Sequence, residues 1–94
     1  MVIGAIEVRL KVQGARSLKE KRKALKSIKD RISRMNISIA EIDDHDKWQA
    51  ATLGLVMVSN DATYINSLAD RIIGFLAGEN NVEIIFSRRE ILHV

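Results

Sequence analysis

Along "VIGAIEVRLKVQ", residues 2–13, apolar and polar positions alternate: Gly4, Ile6, Val8, Leu10 and Val12 share one face, and Glu7, Arg9, Lys11 and Gln13 the other. A period of two predicts a strand buried on one side. The period changes after Gly14 and Ala15. Leu18, Leu25, Ile28, Ile32 and Met35 recur at helical spacing, so an amphipathic helix is expected to open at Leu18. Ser17 and Glu20 make a capping box in front of it, each side chain able to satisfy the other's backbone N–H. Lys21 interrupts the apolar stripe between Leu18 and Leu25; its stem is expected to pack while its ammonium reaches out to water.

"NISIAEID" then reads as a second strand, "DHDKWQ" as a hairpin connection and "AATLGLVMVS" as a third, strongly apolar strand. Asn60 or Asp61 can cap a second helix whose inner face is Ala62, Ile65, Leu68, Ala69, Ile72 and Leu76, ending near Gly78 in a glycine C-cap. "VEIIFSRREILH" supplies a fourth strand. The order βαββαβ predicts an α+β, ferredoxin-like sandwich, a four-stranded antiparallel sheet with both helices on one face. Right-handed crossovers set the strand order at 4-1-3-2. One sheet face is left uncovered by the chain itself.

Length and composition narrow this further. The 94 residues, without proline or a Gly/Ser-rich stretch, read as one domain spanning 1–94 that buries roughly 60 to 65% of its unfolded surface. Cysteine is absent, which excludes disulfides and thiolate chemistry, and the two histidines, His45 and His93, cannot build a multi-histidine metal site. No cofactor is expected. Neither a signal peptide nor an apolar run of membrane-spanning length is visible, so the chain reads as soluble and cytoplasmic, with no membrane partner.

The net charge of +3 hides a strong asymmetry. Residues 16–34 hold nine Lys/Arg against two acids, whereas residues 35–94 hold four against nine. At 100° per residue, Lys19, Arg22, Lys23, Lys26 and Lys29 fall within a sector of roughly 120° beside the apolar stripe. Arg16 and Arg34 extend this row at its two ends, giving a basic stripe about 15 to 20 Å long, comparable to several phosphate spacings. A solvated helix face is the plain alternative. Such a face usually mixes signs and gains i,i+4 ion pairs, whereas these cations repel one another.

Other chemistries fit this sequence less well than phosphate binding by the helix. The Val-Gln-Gly turn and nearby arginine are shared with acylphosphatases, but Arg16 comes only two residues after Gly14, Leu18 stands where the arginine is needed, and "KWQAATLG" offers no asparagine to position water. No catalytic residue is assigned. The acidic run Glu41, Asp43, Asp44, His45 and Asp46 invites a hard cation, and alternation puts Glu41, Asp43 and His45 on one side of a strand. An acidic hairpin exposed to water is the preferred reading, with no metal site. Trp48 is expected to pack at the hairpin end, although a loop tryptophan can also anchor a partner. RRM-type base stacking on the open sheet face is excluded, because none of the aromatics Trp48, Tyr64, Phe75 and Phe86 lies in the first or third strand.

The stretches "SLKEKR", "AEIDDHDKWQAATLG" and "VSND" together resemble the YlxP-like family, a bacterial group of domains of unknown function, and the likeness spans essentially the whole chain. The resemblance implies a ferredoxin-like fold, no established enzymatic activity, and genes placed among those for translation initiation and ribosome maturation. That setting suggests an RNA or ribosome partner. The expectation is therefore a non-enzymatic binding domain that meets RNA or the ribosome through Arg16, Lys19, Arg22, Lys23, Lys26, Lys29 and Arg34. The alternative is a dimeric protein-interaction or regulatory module using the open sheet face. Antiparallel pairing there places Ile3 and Ala5 near Val56 and Val58, an apolar half that suits a homodimer.

Overall fold

Residues whose side chains alternate become strands and those with the 3.6-residue stripe become helices. A computed structural model describes residues 1–94, with β1 (Val2–Val12), α1 (Leu18–Ser33), β2 (Ser38–Asp43), β3 (Ala50–Ser59), α2 (Ala62–Ala77) and β4 (Val82–His93). The sheet runs β2-β3-β1-β4 with every neighbouring pair antiparallel, the topology expected. Both helices cover one face, where Val8, Leu10, Leu53 and Leu55 meet Leu25, Ile28 and Ile32 of α1 and Ile65, Ile72 and Leu76 of α2. Gly4 lies on this face, and a Cβ there would come within 2.5 Å of Ile65 Cγ2. Its missing side chain is what lets α2 approach β1. No helix is long and apolar enough to cross a membrane.

The helix ends refine the expected caps. Ser17 Oγ accepts the Glu20 N–H at 3.1 Å, but the Glu20 carboxylate turns back to the N–H of Arg16 rather than that of Ser17. Asp61, not Asn60, caps α2, its Oδ1 accepting from the Thr63 N–H at 2.9 Å. Gly78 follows the last helical residue with φ −87°, a right-handed geometry, so the glycine cap expected there is not a left-handed one. The left-handed residue is instead Asn36, at φ 63° after α1, which delays β2 to Ser38.

Two bulges matter for the site. Between Arg9 and Leu10 the β1–β4 register shifts past Ile85, and between Glu41 and Asp43 the β2–β3 register shifts past Ile42. Ile42 lies over Gly54, where a Cβ would meet its Cγ2 at 3.0 Å. An extra residue in one strand reverses the alternation beyond it. Glu41, two residues after Ile39, points to the helix side by plain alternation, opposite the inward-facing Leu53, and beyond the bulge Asp43 pairs with Thr52 on the open side.

Candidate nucleic-acid interface

On α1, Lys21, Leu25, Ile28 and Ile32 are buried, which fixes the helix's rotation on the sheet. Arg31 then reaches toward α2, pairing with Glu79 at 2.8 Å and lying 4.7 Å from the centre of the Phe75 ring. The basic sector occupies the other flank. Arg16, Lys19, Arg22, Lys23, Lys26 and Arg34 are exposed and Lys29 is half-buried. Lys26 pairs with Asp30 at 3.0 Å, whereas the other six make no ion pair. The structure thus brings the expected residues onto one continuous edge of the helix and leaves most of their charge unspent.

Lys21 behaves otherwise than expected. Its side chain is only 1% exposed, and the ammonium does not reach water. It donates to the backbone oxygens of Asp44 at 2.8 Å and Ala50 at 3.1 Å, lies 3.5 Å from that of His45, and approaches Glu41 Oε2 at 2.8 Å. The approach to Oε2 is out of line for a hydrogen bond, so that oxygen is held by charge. The β2–β3 connection has closed over the start of α1 and supplied, in carbonyls and one carboxylate, what water would otherwise give a buried ammonium.

The acidic run is consumed in holding this connection. Asp44 is buried in a left-handed conformation, φ 63°, which aspartate tolerates better than most residues. Its carboxylate accepts from Thr52 Oγ1 at 2.7 Å and pairs with Lys47 at 3.1 Å and Arg9 at 3.8 Å. Its pKa is lowered below 3.8, chiefly by the Thr52 hydrogen bond, then by the hydrogen bond and charge of Lys47 and the charge of Arg9, with burial opposing. Because the bulge at Ile42 puts Asp43 on the open side while Glu41 stays on the inward one, Glu41, Asp43 and His45 do not share a side. The ring Nε2 of His45 lies 3.1 Å from the Glu41 backbone oxygen. No three of the acidic and histidine side chains converge in a ligand geometry.

Trp48 also departs from expectation: it is 54% exposed and closes nothing. The residue that follows it is nonetheless held. The Gln49 carbonyl accepts the Val12 N–H at 2.9 Å, and Gln49 Nε2 donates to the Ala15 oxygen at 3.1 Å. The Gln49 tie brings the loop that carries Trp48 to Ala15, one residue before the Arg16 end of the basic stripe. Sequence reasoning missed both this placement and the burial of Lys21. The signal for the second was present, a lysine in the apolar stripe matched by a glutamate on an inward strand position.

The two remaining candidate regions can be placed as well. On the open sheet face Ile3 pairs with Val58 and Ala5 with Val56, as expected, and Leu92 lies across from Ile3. Val58, Val56 and Leu92 are substantially exposed, while Glu7 and Arg88 form a 3.4 Å ion pair toward the other end. At the Val-Gln-Gly turn, Gly14 has φ 76°, the Gln13 N–H is donated to the Asn81 oxygen, and the Arg16 N–H goes to Glu20. Those N–H groups do not converge on a common point.

Comparison with known proteins agrees with the fold and places the chain. A de novo designed protein, Foldit4, superposes with a TM-score of 0.56 at 16% identity over 98% of each chain. LFR1 1, another de novo design with a ferredoxin fold, gives 0.54 at 17% identity over 100% of this chain and 88% of its own. The "Uncharacterized protein YlxP" of Bacillus subtilis (strain 168) is 33% identical over 90 residues, covering 95% of this chain and 98% of that protein. Residues 3–89 match the family described as "Protein of unknown function (DUF503)", and the chain belongs to that family.

Proposed function

We propose that this domain is a non-enzymatic RNA-binding module, associated with RNA or the ribosome, that grips phosphates along the outer flank of α1. The observation that carries the reading is the row of exposed cations without partners, Arg16, Lys19, Arg22, Lys23 and Arg34. Four of these five, Arg16, Lys19, Arg22 and Lys23, lie at or near the positive N-terminal end of the helix, where the macrodipole disfavours cations. Fold stability alone gives no reason for them there. Phosphates do, since each neutralised phosphate releases condensed counterions. Catalysis is left out because the Glu20 carboxylate occupies the Arg16 N–H and would repel a phosphate at the turn.

The test replaces Lys19, Arg22 and Lys23 with Ala, none of which belongs to the cap or the buried core. Helix content is expected to stay the same. The slope of log affinity against log salt for single-stranded RNA becomes shallower by about 2, from roughly 0.7 per phosphate lost. Unchanged affinity and slope would return the stripe to a solvated surface.

A second reading rests on the open sheet face, where Ile3, Val56, Val58 and Leu92 form one apolar patch. Glu7, Arg88 and Glu90 carry both signs at its border, so a second copy related by a two-fold axis is the matching occupant. Sedimentation analysis that finds only monomer at all accessible concentrations removes this reading.

A further inference from the structure

We infer that Trp48 is a base-stacking platform for the RNA that the α1 stripe holds by its phosphates; the inference rests on the function proposed above. A half-exposed indole is costly to leave in water, and Trp48 is 54% exposed. Its surroundings are rigid. On the N-terminal side, the Asp44 carbonyl accepts from the buried Lys21 ammonium and the Asp44 carboxylate from Thr52. On the C-terminal side, Gln49 is tied to Val12 and Ala15 and the Ala50 carbonyl to Lys21. These anchors hold the chain on both sides of Trp48, and the Gln49 side chain ties the loop to Ala15, one residue before the first cation of the stripe.

An aromatic face beside a track of cations is what sequence-tolerant binding of single strands requires. Cations follow the backbone, and a base turned out of the strand stacks on the ring. The open sheet face lacks aromatics in its two central strands, so the platform here is a pinned loop at the end of the helix track. The ordering cost is already met within the fold, which favours binding.

Trp48 is the sole tryptophan, so its emission reports the event directly. The probe is a labelled oligouridylate of about 12 nucleotides, within the usual site size. Its anisotropy and the indole fluorescence are read in one titration. Emission is expected to be quenched with the same midpoint as the anisotropy change. Trp48→Ala weakens binding roughly 10- to 100-fold at an unchanged salt slope, and Trp48→Phe keeps most of the affinity. Inorganic polyphosphate, which has charge and no bases, is expected to bind without quenching.

Oligouridylate bound with unaltered emission, and equally well by Trp48→Ala, would overturn the stacking role and leave the phosphate reading standing. Quenching by polyphosphate as deep as that by RNA would also overturn it. Absence of binding to either polymer would remove the phosphate reading, and stacking with it. Circular dichroism of Trp48→Ala confirms that the fold persists, as exposure of the side chain leads one to expect.

Discussion

Lys19 and Lys21 stand two residues apart on α1, and their surroundings could hardly differ more. Lys21 faces inward, 1% exposed, with two carbonyls and the Glu41 carboxylate gathered around its ammonium. Lys19 faces outward with no ion pair, in a row of like charges. An internally satisfied cation holds structure together. One left without partners, at the helix end where charge of its sign is disfavoured, is available to a ligand. Composition and net charge treat the two alike, so only the contacts separate structural lysines from candidate binding ones.

The contrast can be broken most forcefully at the inner lysine. Lys21→Met keeps the stem but leaves Glu41 charged and largely buried and removes a donor from two carbonyls. Breaking such a pair from one side is expected to cost about 3 kcal/mol, lowering Tm by roughly 15 °C in a domain of this size. Adding Glu41→Gln recovers part of the loss, because no uncompensated charge remains. Chemical denaturation checks both variants. A change below about 0.5 kcal/mol, the range of ordinary surface substitutions, would mean that the β2–β3 connection does not depend on Lys21.

A smaller effect concerns the acid side of the same region. The Asp44 pKa is depressed, with the Thr52 hydroxyl the leading cause. A depressed folded value means that Asp44 adds stability above its unfolded value, near 4, and loses it as pH falls through the folded value. Thr52→Val raises that folded value toward the ordinary one. The fall in unfolding free energy between about pH 5 and pH 3 is therefore expected to be shallower in the variant than in the parent. Parallel pH profiles would show that Asp44 is not held through Thr52.

What the sequence made legible follows the range of the interactions. Strand alternation from Val2 to Val12, the α1 stripe and the Ser17–Glu20 spacing are local patterns, and chain order with right-handed crossovers then leaves one sheet topology. The basic stripe was legible for the same reason, since helical angles alone place Lys19, Arg22, Lys23, Lys26 and Lys29 together. The Lys21 pocket was legible only in part: alternation puts Glu41 on the inward side with Ile39, but the carbonyls that complete it come from a loop folding back across some twenty residues of sequence. Trp48 was misread for a related reason. Packing at a hairpin end is the usual fate of tryptophan, and only the folded loop, tied by Gln49 to Ala15, shows the side chain left half-exposed.

The smallest expected effect has the opposite sign and bears on the outer lysine. Lys19 is the second residue of α1, one turn before Lys23 and three residues before Arg22. Lys19→Glu replaces repulsion with an i,i+4 Glu-to-Lys pair and puts an acid where the macrodipole favours one. Together these are expected to stabilise the fold by about 0.5 to 1 kcal/mol at low ionic strength. The gain should fade as salt approaches 1 M, where the Debye length falls to about 3 Å. RNA affinity should fall at the same time, with the salt slope reduced by at least the roughly 0.7 of one lost phosphate. Greater stability with weaker binding is the outcome that identifies Lys19 as a residue kept for a ligand at the fold's expense. Destabilisation by Lys19→Glu at low salt would instead make Lys19 a structural residue like Lys21, and the division between the two sides of α1 would fail.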